Sequence, residues 1–305
     1  MSEISISPFL AVVGTTASGK SSVAMELAKR VERLEIISVD SMQIYRGMDV
    51  GTAKPTKEEL DLVPHHMIDI VDPSEEYTLS EFQMEAHKAL KDVEERSANP
   101  VLVGGTGLYL RTIVDELTIP GQYPKVRSEI EAELDTAKLY AKLTDLDPLA
   151  ASRMEKNNRR RILRALEVTV GSGKEFSSYG PGLIKYPKTK FKIFGLKWVR
   201  DAIDERIIDR YEWQLNNGFF AEVERLFNSP GGMSRTASQA LGYKHFFEHL
   251  EGKTNFEEAL EKAVVDTKKF ARKQERWFRR DPRIRWIEIM EDPLEAIPIL
   301  MEEYK

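Results

Sequence analysis

Short apolar segments alternate with longer amphipathic ones in the first 118 residues. Helical spacing of apolar positions covers residues 20–30, and Thr78 and Glu81 form a capping-box pattern that opens a second helix. Four apolar runs bounded by turn residues are typical of buried strands, and they span residues 9–13, 34–40, 67–71 and 100–103. Strands that alternate with helices predict a parallel sheet covered on both faces. This part of the chain therefore predicts an α/β core.

The pattern changes after residue 118. Proline and glycine residues interrupt it at 120–124, and residues 126–170 then predict helices alone. The apolar segments 191–198 and 284–289 predict two further strands, and the rest of the C-terminal region predicts helices. We therefore expect a core of residues 1–118 and 190–305 with a helical C-terminal region, and an all-helical insertion domain at residues 119–189.

The composition excludes several classes of protein. The chain has 305 residues, of which 41% are hydrophobic, and 0 are cysteine. It can bury a substantial core, whereas disulfides, thiolate zinc sites and a cysteine nucleophile are excluded. No apolar run approaches the ~20 residues that a membrane helix needs, and residues 1–8 lack the parts of a signal peptide. We expect a cytoplasmic protein without a membrane segment; its net charge of -5 gives no general argument for nucleic acid.

A glycine-rich segment between the first predicted strand and helix has the spacing of a phosphate-binding loop. It matches G-x-x-x-x-G-K-[ST] and consists of Gly14, Thr15, Thr16, Ala17, Ser18, Gly19, Lys20 and Ser21. Glycines let backbone N–H groups approach phosphate oxygens, Lys20 supplies a positive charge, and Ser21 supplies a hydroxyl for Mg²⁺. The segment predicts a P-loop site for a diphosphate or triphosphate group with Mg²⁺ as cofactor, without indicating which bond is broken.

The metal-binding carboxylate of a typical P-loop kinase or NTPase is missing. A metal-binding aspartate should end a later buried strand, but the strand at 100–103 ends in Gly104, Gly105 and Thr106. Asp40 instead follows the second predicted strand, and the carboxyl ends of parallel strands meet at one edge of a sheet. We expect Asp40 beside the phosphate loop, as a metal ligand or a proton acceptor; an ordinary capping aspartate is the alternative.

Two predicted helices carry positive charge on one face. In the helix at 157–170, Arg160, Arg161 and Arg164 oppose an apolar stripe of Ile162, Leu163, Leu166 and Val170. In the helix at 260–280, the basic face is Lys268, Lys269, Arg272, Lys273, Arg276, Arg279 and Arg280, and the apolar stripe is Leu260, Ala263, Val264, Phe270, Ala271, Trp277 and Phe278. A solvated face explains either helix alone. Two such faces on an acidic chain favour a partner with a phosphate backbone.

His65 and His66 lie next to each other on an extended segment. Neighbouring side chains of a strand point to opposite faces, which makes these histidines a poor pair of metal ligands. No cysteine or histidine cluster joins them in the sequence. We expect them to be structural or to line a substrate site.

Six short motifs follow one another along the chain in an order that is specific for one protein family. They are the phosphate loop and residues 40–55, 65–69, 103–109, 161–168 and 239–244. In this order they resemble the tRNA dimethylallyltransferases, also called tRNA isopentenyltransferases, and residues 268–280 resemble the late basic helix of that family. Eukaryotic members often add a zinc finger, so a chain without cysteine resembles the bacterial type.

The resemblance implies a group transfer without energy-coupling nucleotide hydrolysis. Dimethylallyl diphosphate would place its diphosphate in the phosphate loop, and the N6 amine of the adenosine beside the tRNA anticodon would displace pyrophosphate. An adenine amine is a poor nucleophile, so a base must take its proton, and Asp40 is expected to be that base. Thr106 matches a catalytically important threonine of the family. Lys20, with Mg²⁺ on Ser21, would stabilise the leaving group.

The resemblance also implies contacts with the tRNA anticodon stem-loop. The target base must leave its stack before it reacts, which suits basic elements arranged around one pocket. The expected contacts are Asp40, Ser41, Met42 and Gln43 near the adenosine, Arg127, Arg160, Arg161, Ile162, Leu163 and Arg164 in the insertion domain, and Gln239, Ala240, Leu241, Gly242, Tyr243 and Lys244. We expect the protein to act as a monomer.

Three other functions stay open. They are a P-loop kinase for a small metabolite with the insertion as a lid, a prenyltransferase for free adenine nucleotides, and a non-catalytic RNA-binding module that keeps a phosphate site. The missing carboxylate argues against the kinase, and the RNA-facing segments argue against free nucleotides as acceptors. The complete loop with Lys20 and Ser21 argues against a module without catalysis.

Overall fold

A six-stranded parallel sheet forms the centre of the protein. The computed structural model describes residues 9–304, so the prediction about a signal peptide at residues 1–8 lies outside the described residues. The strands are β1 (Phe9–Gly14), β2 (Leu34–Ser38), β3 (His65–His66), β4 (Asn99–Gly104), β5 (Phe191–Trp198) and β6 (Ile284–Ile289). They lie in the order β3-β2-β4-β1-β5-β6. The predicted α/β core is confirmed.

Helices follow the strands and dominate the C-terminal region. They are α1 (Lys20–Ala28), α2 (Lys57–Leu62), α3 (Leu79–Glu95), α4 (Gly107–Val114), α5 (Pro124–Glu131), α6 (Thr136–Leu146), α7 (Pro148–Ser152), α8 (Arg159–Ser172), α9 (Arg200–Asn216), α10 (Phe219–Phe227), α11 (Tyr243–Leu250), α12 (Phe256–Phe278) and α13 (Ile297–Met301). The capping box predicted for α3 is confirmed, because the side chains of Thr78 and Glu81 each accept the other's backbone N–H. None of these helices combines the length and the apolar character that a bilayer span requires.

Alternating residues of the strands build a core on each face of the sheet. In β1, Leu10 and Val12 belong to the core that contains α1 and α13. Ala11 and Val13 belong to the core that contains α3, α4 and the end of α12. Burial on both faces is typical of parallel strands covered by helices. Because the strands are parallel, β1, β2 and β4 all end at the same edge of the sheet.

The strand predicted at residues 67–71 is wrong. The strand in this region is His65–His66, which pairs with β2. Met67 and Asp69 have φ angles of 64° and 54°, and left-handed residues cannot continue an extended strand. Val71 retains only an isolated bridge to Tyr45. The strand predicted at 34–40 also ends earlier than expected, at Ser38.

The chain divides into two compact units. One comprises the described residues up to Asp115 and from Lys188 onward, and the other is Glu116–Pro187; the predicted insertion has bounds of 119 and 189. The second unit contains α5 to α8, and no strand occurs among its residues. Its core includes Leu143, Ile162 and Leu166. Val170, predicted for this apolar stripe, is 43% exposed, because the last turn of α8 buries residues 168–169 instead.

Candidate active site

The phosphate loop joins the end of β1 to the start of α1. Gly19 precedes α1 with a φ angle of 83°, a left-handed conformation that favours glycine. A Cβ atom on Gly14 would come within 2.7 Å of Ser18 Oγ, and Ser18 is fully buried. The first N–H groups of a helix have no intrahelical acceptor. Together with the helix dipole, they favour an anion at this turn.

Lys20 is held inside the loop. Its Nζ donates to the Thr15 carbonyl (2.5 Å) and to Ser18 Oγ (3.3 Å). Burial lowers the pKa of Lys20 from 10.5 to about 8; the Asp40 carboxylate opposes this shift and the Arg210 guanidinium adds to it. Lys20 therefore changes charge close to neutral pH, and a bound anion would favour its protonated form.

The affinity for inorganic pyrophosphate should fall as the pH rises through 8. Below pH 8, Lys20 is protonated in the free protein, whereas above it binding must also take up a proton, at a cost of up to about tenfold in affinity per pH unit. Titration calorimetry between pH 7 and pH 9.5, a range that brackets the Lys20 pKa of about 8, measures the slope of the logarithm of the affinity against pH. In Lys20→Arg the guanidinium stays charged, so the affinity of the variant should depend less steeply on pH. Equal slopes in both proteins would contradict the assignment.

Side chains of the C-terminal helices fix the conformation of the phosphate loop. Gln274 of α12 accepts a hydrogen bond from the Thr16 N–H (2.8 Å). Arg210 of α9 donates to Thr16 Oγ1 (2.9 Å), and Arg206, one turn earlier, donates to the Ala17 carbonyl (2.8 Å). Burial lowers the pKa of Arg210, and the nearby Tyr211 and Asp40 oppose this shift. These three side chains were not predicted from the sequence.

Glycines after β4 allow α12 to approach the sheet edge. Gln274 Nε2 donates to the Gly105 carbonyl (2.9 Å), and a Cβ atom on Gly105 would lie 2.5 Å from that nitrogen. A Cβ atom on Gly107 would lie 2.1 Å from the Trp277 ring. The partners also fix the orientation of the amide, because the Thr16 N–H requires an oxygen and the Gly105 carbonyl requires a nitrogen. Gln274 thus ties the phosphate loop to the turn that follows β4.

Asp40 and Thr106 lie beside each other at the ends of β2 and β4. Asp40 Oδ1 accepts hydrogen bonds from the N–H groups of Met42 (2.8 Å) and Gln43 (3.4 Å). Thr106 Oγ1 accepts from the Ser41 N–H (3.2 Å) and donates to Ser41 Oγ (3.4 Å). The Asp40 bonds both use Oδ1. The turn therefore holds the carboxylate by one oxygen, as a capping aspartate would be held, while placing it on the wall of the cavity described below.

A buried carboxylate holds another segment of the cavity wall, residues 49–53. Glu222 accepts the N–H groups of Asp49 (2.8 Å), Val50 (2.9 Å) and Gly51 (3.1 Å), and the Tyr243 hydroxyl also donates to it (2.5 Å). Burial, followed by the Glu222 charge, raises the pKa of Tyr243 well above 10.0. On the other side of this segment, Gln43 Nε2 donates to the carbonyls of residues 52 and 53 (3.3 and 3.2 Å). Residues 49–53 are thus fixed from both sides.

A cavity of about 650 Å³ connects these groups. Its wall includes Lys20, Ser21, Asp40, Thr106 and Arg210. The size lies within the range of about 300–1,000 Å³ that is usual for small-molecule sites. The structure therefore brings together, in one cavity, the phosphate loop, the candidate base and the candidate threonine predicted from the sequence.

Residues 239–244 border the same cavity in part. Gln239, Ala240, Leu241 and Tyr243 line it, and the Tyr243 side chain is fully buried against the protein. Lys244 forms an ion pair with Asp266 (3.2 Å). Gly242 precedes α11 with a φ angle of 86°. Met42, Ser41 and Gln43, the other residues expected near an adenosine, also line the cavity.

The predicted tRNA contacts of the insertion fall into buried and exposed groups. Ile162 and Leu163 are buried in the core of the second unit. Their side chains therefore position α8 and are not available for contact with RNA. Arg164 pairs with Glu167 (2.8 Å), and Arg127 lies 3.8 Å from the same carboxylate. Arg160 and Arg161 are exposed; both stand at the start of α8.

Helix α12 differs from its predicted pattern in two ways. Phe270, predicted for the apolar stripe, is 40% exposed, and the polar residues Thr267 and Gln274 are buried on that side instead. The predicted basic face is partly neutralised, because Lys269 pairs with Asp266 (3.1 Å), Arg272 with Asp204 (2.6 Å) and Arg279 with Glu275 (2.6 Å). Lys273, Arg276 and Arg280 are exposed.

The two adjacent histidines have separate environments. His66 Nε2 lies 2.6 Å from Glu35, and His65 Nδ1 lies 2.7 Å from the Val63 carbonyl. Burial lowers the pKa of His65, which also lines the cavity. These contacts agree with a structural or substrate-lining role.

The donor set of the cavity fits Mg²⁺ only in combination with a substrate. Ser21 and Asp40 offer the hard oxygen atoms that Mg²⁺ prefers, and both line the cavity. Across residues 9–304, no group of three or more histidine, cysteine, aspartate or glutamate side chains is arranged to hold a metal. Mg²⁺ usually keeps several waters and binds substrate phosphates, so Ser21 would hold it together with phosphate oxygens.

Comparison with known proteins identifies the family. A family model described as IPP transferase matches residues 43–281. The chain belongs to the IPP transferase family. The resemblance inferred from the sequence motifs is thereby confirmed.

Relatives of this IPP transferase match it over nearly its whole length. A tRNA dimethylallyltransferase from Kineococcus radiotolerans is 43% identical, over 97% of this chain and 96% of the relative. The enzyme of that name from Carboxydothermus hydrogenoformans is 42% identical, over 94% and 93%. Among solved structures, the tRNA isopentenylpyrophosphate transferase from Bacillus halodurans is 34% identical with a TM-score of 0.70, covering 98% of this chain and 97% of its own. A eukaryotic dimethylallyltransferase acting on tRNA is 27% identical with a TM-score of 0.77, covering 92% and 73%.

Proposed function

We propose that this IPP transferase moves the dimethylallyl group of dimethylallyl diphosphate onto the N6 amine of the adenosine adjacent to the anticodon in tRNA. A bond forms between N6 and the first allylic carbon as the bond from that carbon to the diphosphate oxygen breaks. The electron pair of the broken bond leaves with pyrophosphate, and one N6 proton passes to the protein.

The donor diphosphate is bound at the phosphate loop in this proposal. The N–H groups at the start of α1 and the Lys20 and Arg210 cations surround the cavity at this end. Negative charge grows on the diphosphate as the bond breaks, and fixed positive groups stabilise that charge more than they stabilise the ground state. Mg²⁺ on Ser21 and the donor oxygens would neutralise part of the same charge.

Asp40 accepts the amine proton in this proposal. Its Oδ1 is anchored by backbone N–H groups, which restricts the side chain to the cavity wall. Ser41 and Thr106 share hydrogen bonds next to it, and they would orient the adenosine and the carboxylate toward each other. A positioned general base usually contributes about 10²- to 10⁴-fold in rate.

One observation carries the assignment: Asp40, Lys20 and Arg210 all line the same cavity. The base and the diphosphate-binding cations therefore lie within electrostatic reach of one another in a single cavity. This is the arrangement that proton removal at nitrogen and departure of pyrophosphate need at the same time.

The RNA would be held by residues 239–244, the exposed arginines Arg160 and Arg161, and the exposed cations of α12. These contacts, a monomeric state and a cytoplasmic location are parts of the proposal. The relatives whose names include tRNA, and the solved structure of a dimethylallyltransferase acting on tRNA, support the choice of acceptor.

The proposal is tested by product analysis. The purified chain is incubated with Mg²⁺, dimethylallyl diphosphate and unmodified tRNA, and the RNA is digested to nucleosides for mass spectrometry. We expect N6-dimethylallyl adenosine and an equal amount of pyrophosphate. A tRNA with guanosine at the target position is the matched control and should give no product.

The same assay separates the alternatives. AMP supplied in place of tRNA measures activity on free nucleotides, and ATP with candidate metabolites measures phosphoryl transfer. Product on AMP at a rate equal to that on tRNA, or phosphoryl transfer with unchanged RNA, would contradict the proposal. Binding of diphosphate and RNA without turnover would favour the non-catalytic module.

Loss of the Gln274 hydrogen bonds to Thr16 and Gly105 should slow prenyl transfer more than it weakens the binding of pyrophosphate. We expect Gln274→Ala to lower the single-turnover rate by about tenfold or more, because small displacements of reacting groups reduce rates strongly. The affinity for pyrophosphate should change less, since the cations and the N–H groups of α1 remain.

Glu261→Ala is the matched control, because Glu261 is exposed on the same helix and lies outside its basic face. It should leave the rate of the bound complex unchanged. Equal slowing by the two variants would show that the effect comes from α12 in general rather than from the amide.

A further inference from the structure

Two exposed aromatic side chains lie on the wall of the cavity. Among the phenylalanine and tryptophan side chains of residues 9–304, three are exposed: Trp213 (54%), Phe270 (40%) and Phe227 (38%). Trp213 and Phe270 line the cavity that contains Asp40, whereas Phe227 is not among its lining residues. The most exposed of these rings therefore borders the reaction site.

The contacts of α9 place Trp213 at the end of the cavity away from the phosphate loop. Arg206 and Arg210 bond the loop, and Gln214 bonds the carbonyls of residues 50–51 (2.8 and 3.0 Å). A helix rises about 1.5 Å per residue, so Trp213 lies about 4.5 Å further along the axis than Arg210. Trp213 is therefore beyond the part of α9 that serves the diphosphate.

The contacts of helix α12, which packs against α9, identify the residues at the end of the cavity away from the phosphate loop. It runs antiparallel to α9: Gln274 bonds the phosphate loop, Thr267 bonds Tyr211 (2.9 Å), and Asp266 pairs with Lys244. Moving away from the loop along both helices thus leads to residues 239–244. Four of these residues line the cavity together with Trp213, and they are Gln239, Ala240, Leu241 and Tyr243.

An unpaired nucleobase is the ligand that fits such a ring. When the target adenosine leaves its stack, each neighbouring base loses the partner on one face. Aromatic side chains bind the faces of unstacked bases, and this contact does not require a particular base. An exposed indole at the RNA end of the cavity offers such a face, whereas the diphosphate is bound at the other end by cations.

We propose that Trp213 stacks on a nucleobase that flanks the target adenosine and so holds the loop open while the adenosine is in the cavity. The inference rests on the proposed function, since it takes the acceptor to be an RNA loop. It makes Trp213 a residue that binds substrate, separate from those that bind the diphosphate or remove the proton.

The test is a double-mutant cycle between protein and RNA. Dissociation constants are measured by fluorescence anisotropy for an end-labelled anticodon stem-loop RNA, and for RNAs with an abasic site 5′ or 3′ of the target adenosine. We expect Trp213→Ala and one of the two abasic sites each to weaken binding by about 5- to 100-fold, the range for one stacked base. Combined, they should weaken it no more than either change alone.

Two further measurements sharpen the result. Quenching of tryptophan fluorescence by the intact RNA should be largely lost in Trp213→Phe, because Trp213 is the most exposed of the 4 tryptophans; this variant should keep part of the affinity through its smaller ring. Phe227→Ala, which removes an exposed ring outside the cavity, should behave as the unchanged protein does.

Independent losses from Trp213→Ala and from both flanking abasic sites would overturn the inference, as would coupling to the target adenosine alone. Unchanged RNA affinity in Trp213→Ala would overturn it too, while leaving the proposed function intact. If the unchanged protein neither binds the RNA nor transfers a prenyl group to it, the proposed function fails first, and the inference fails with it.

Discussion

Asp40→Asn should lower the single-turnover rate of prenyl transfer by about 10²- to 10⁴-fold, the usual contribution of a general base. Asparagine keeps an oxygen that can accept the N–H groups of Met42 and Gln43, so the turn should persist. It cannot take a proton at neutral pH. Rapid-quench assays at saturating tRNA and donor measure the rate, and filter binding measures the tRNA affinity, which should change by no more than about twofold.

Asp49→Asn is the matched control for this variant. Asp49 belongs to the same segment, and its side chain is 56% exposed and paired with Lys54 (2.7 Å). Lys54 keeps two other partners, Asp69 and the Tyr45 carbonyl, so this variant should transfer at nearly the normal rate. If Asp40→Asn loses tRNA affinity by the same factor as rate, Asp40 positions the RNA and another group takes the proton.

Arg210→Gln should reduce the transfer rate by about 10²- to 10³-fold, the loss typical when one group that stabilises developing negative charge is removed. Glutamine has no charge to offer the departing pyrophosphate, and it cannot reproduce the bonds from Arg210 to Thr16 and Gly51. The same rapid-quench assay measures the rate, with donor affinity obtained from its concentration dependence. Arg210→Lys should recover part of the loss, since it restores the charge without the planar donor pair.

Arg206→Gln controls for general damage to the loop. Arg206 holds the Ala17 carbonyl from the same helix and lies over the Trp198 ring, but it is not among the residues that line the cavity. It should slow transfer by less than about tenfold. A loss as large as that of Arg210→Gln would mean that both arginines act only through the shape of the loop.

The parts of the site that were predicted from the sequence are local in the chain. The phosphate loop follows β1 and precedes α1, as the spacing of its glycines predicts, and Asp40 follows β2 at the same sheet edge. These placements need only strand order and direction. The parallel sheet itself was predicted because alternation of short apolar and amphipathic segments leaves few other arrangements.

The parts that were missed depend on long-range contacts of polar side chains. Gln274 and Arg210 lie 258 and 194 positions from Thr16, and no local pattern indicates such a pairing. A weak signal exists: Thr267 and Gln274 fall at helical spacing with the buried alanines 263 and 271. Polar residues in a buried stripe require partners, so they could have been proposed as site residues.

The wrong strand at 67–71 has a different cause. Its apolar residues are typical of a strand, but Met67 and Asp69 are left-handed, because the segment turns to run beside residues 43–45. For side chains other than glycine this conformation is uncommon and is imposed by tertiary packing. The composition of the segment therefore gives no indication of it.

The tie from Gln274 to Thr16 has a consequence for how the protein is made. A growing chain begins to fold from its N-terminal part during synthesis, yet its phosphate loop is held by a residue of the last long helix. A nascent chain that has not yet released α12 from the ribosome carries the glycine-rich motif without its anchor. The full rate of prenyl transfer is thus reached only near the end of translation, and a product truncated before α12 would transfer more slowly despite an intact N-terminal signature.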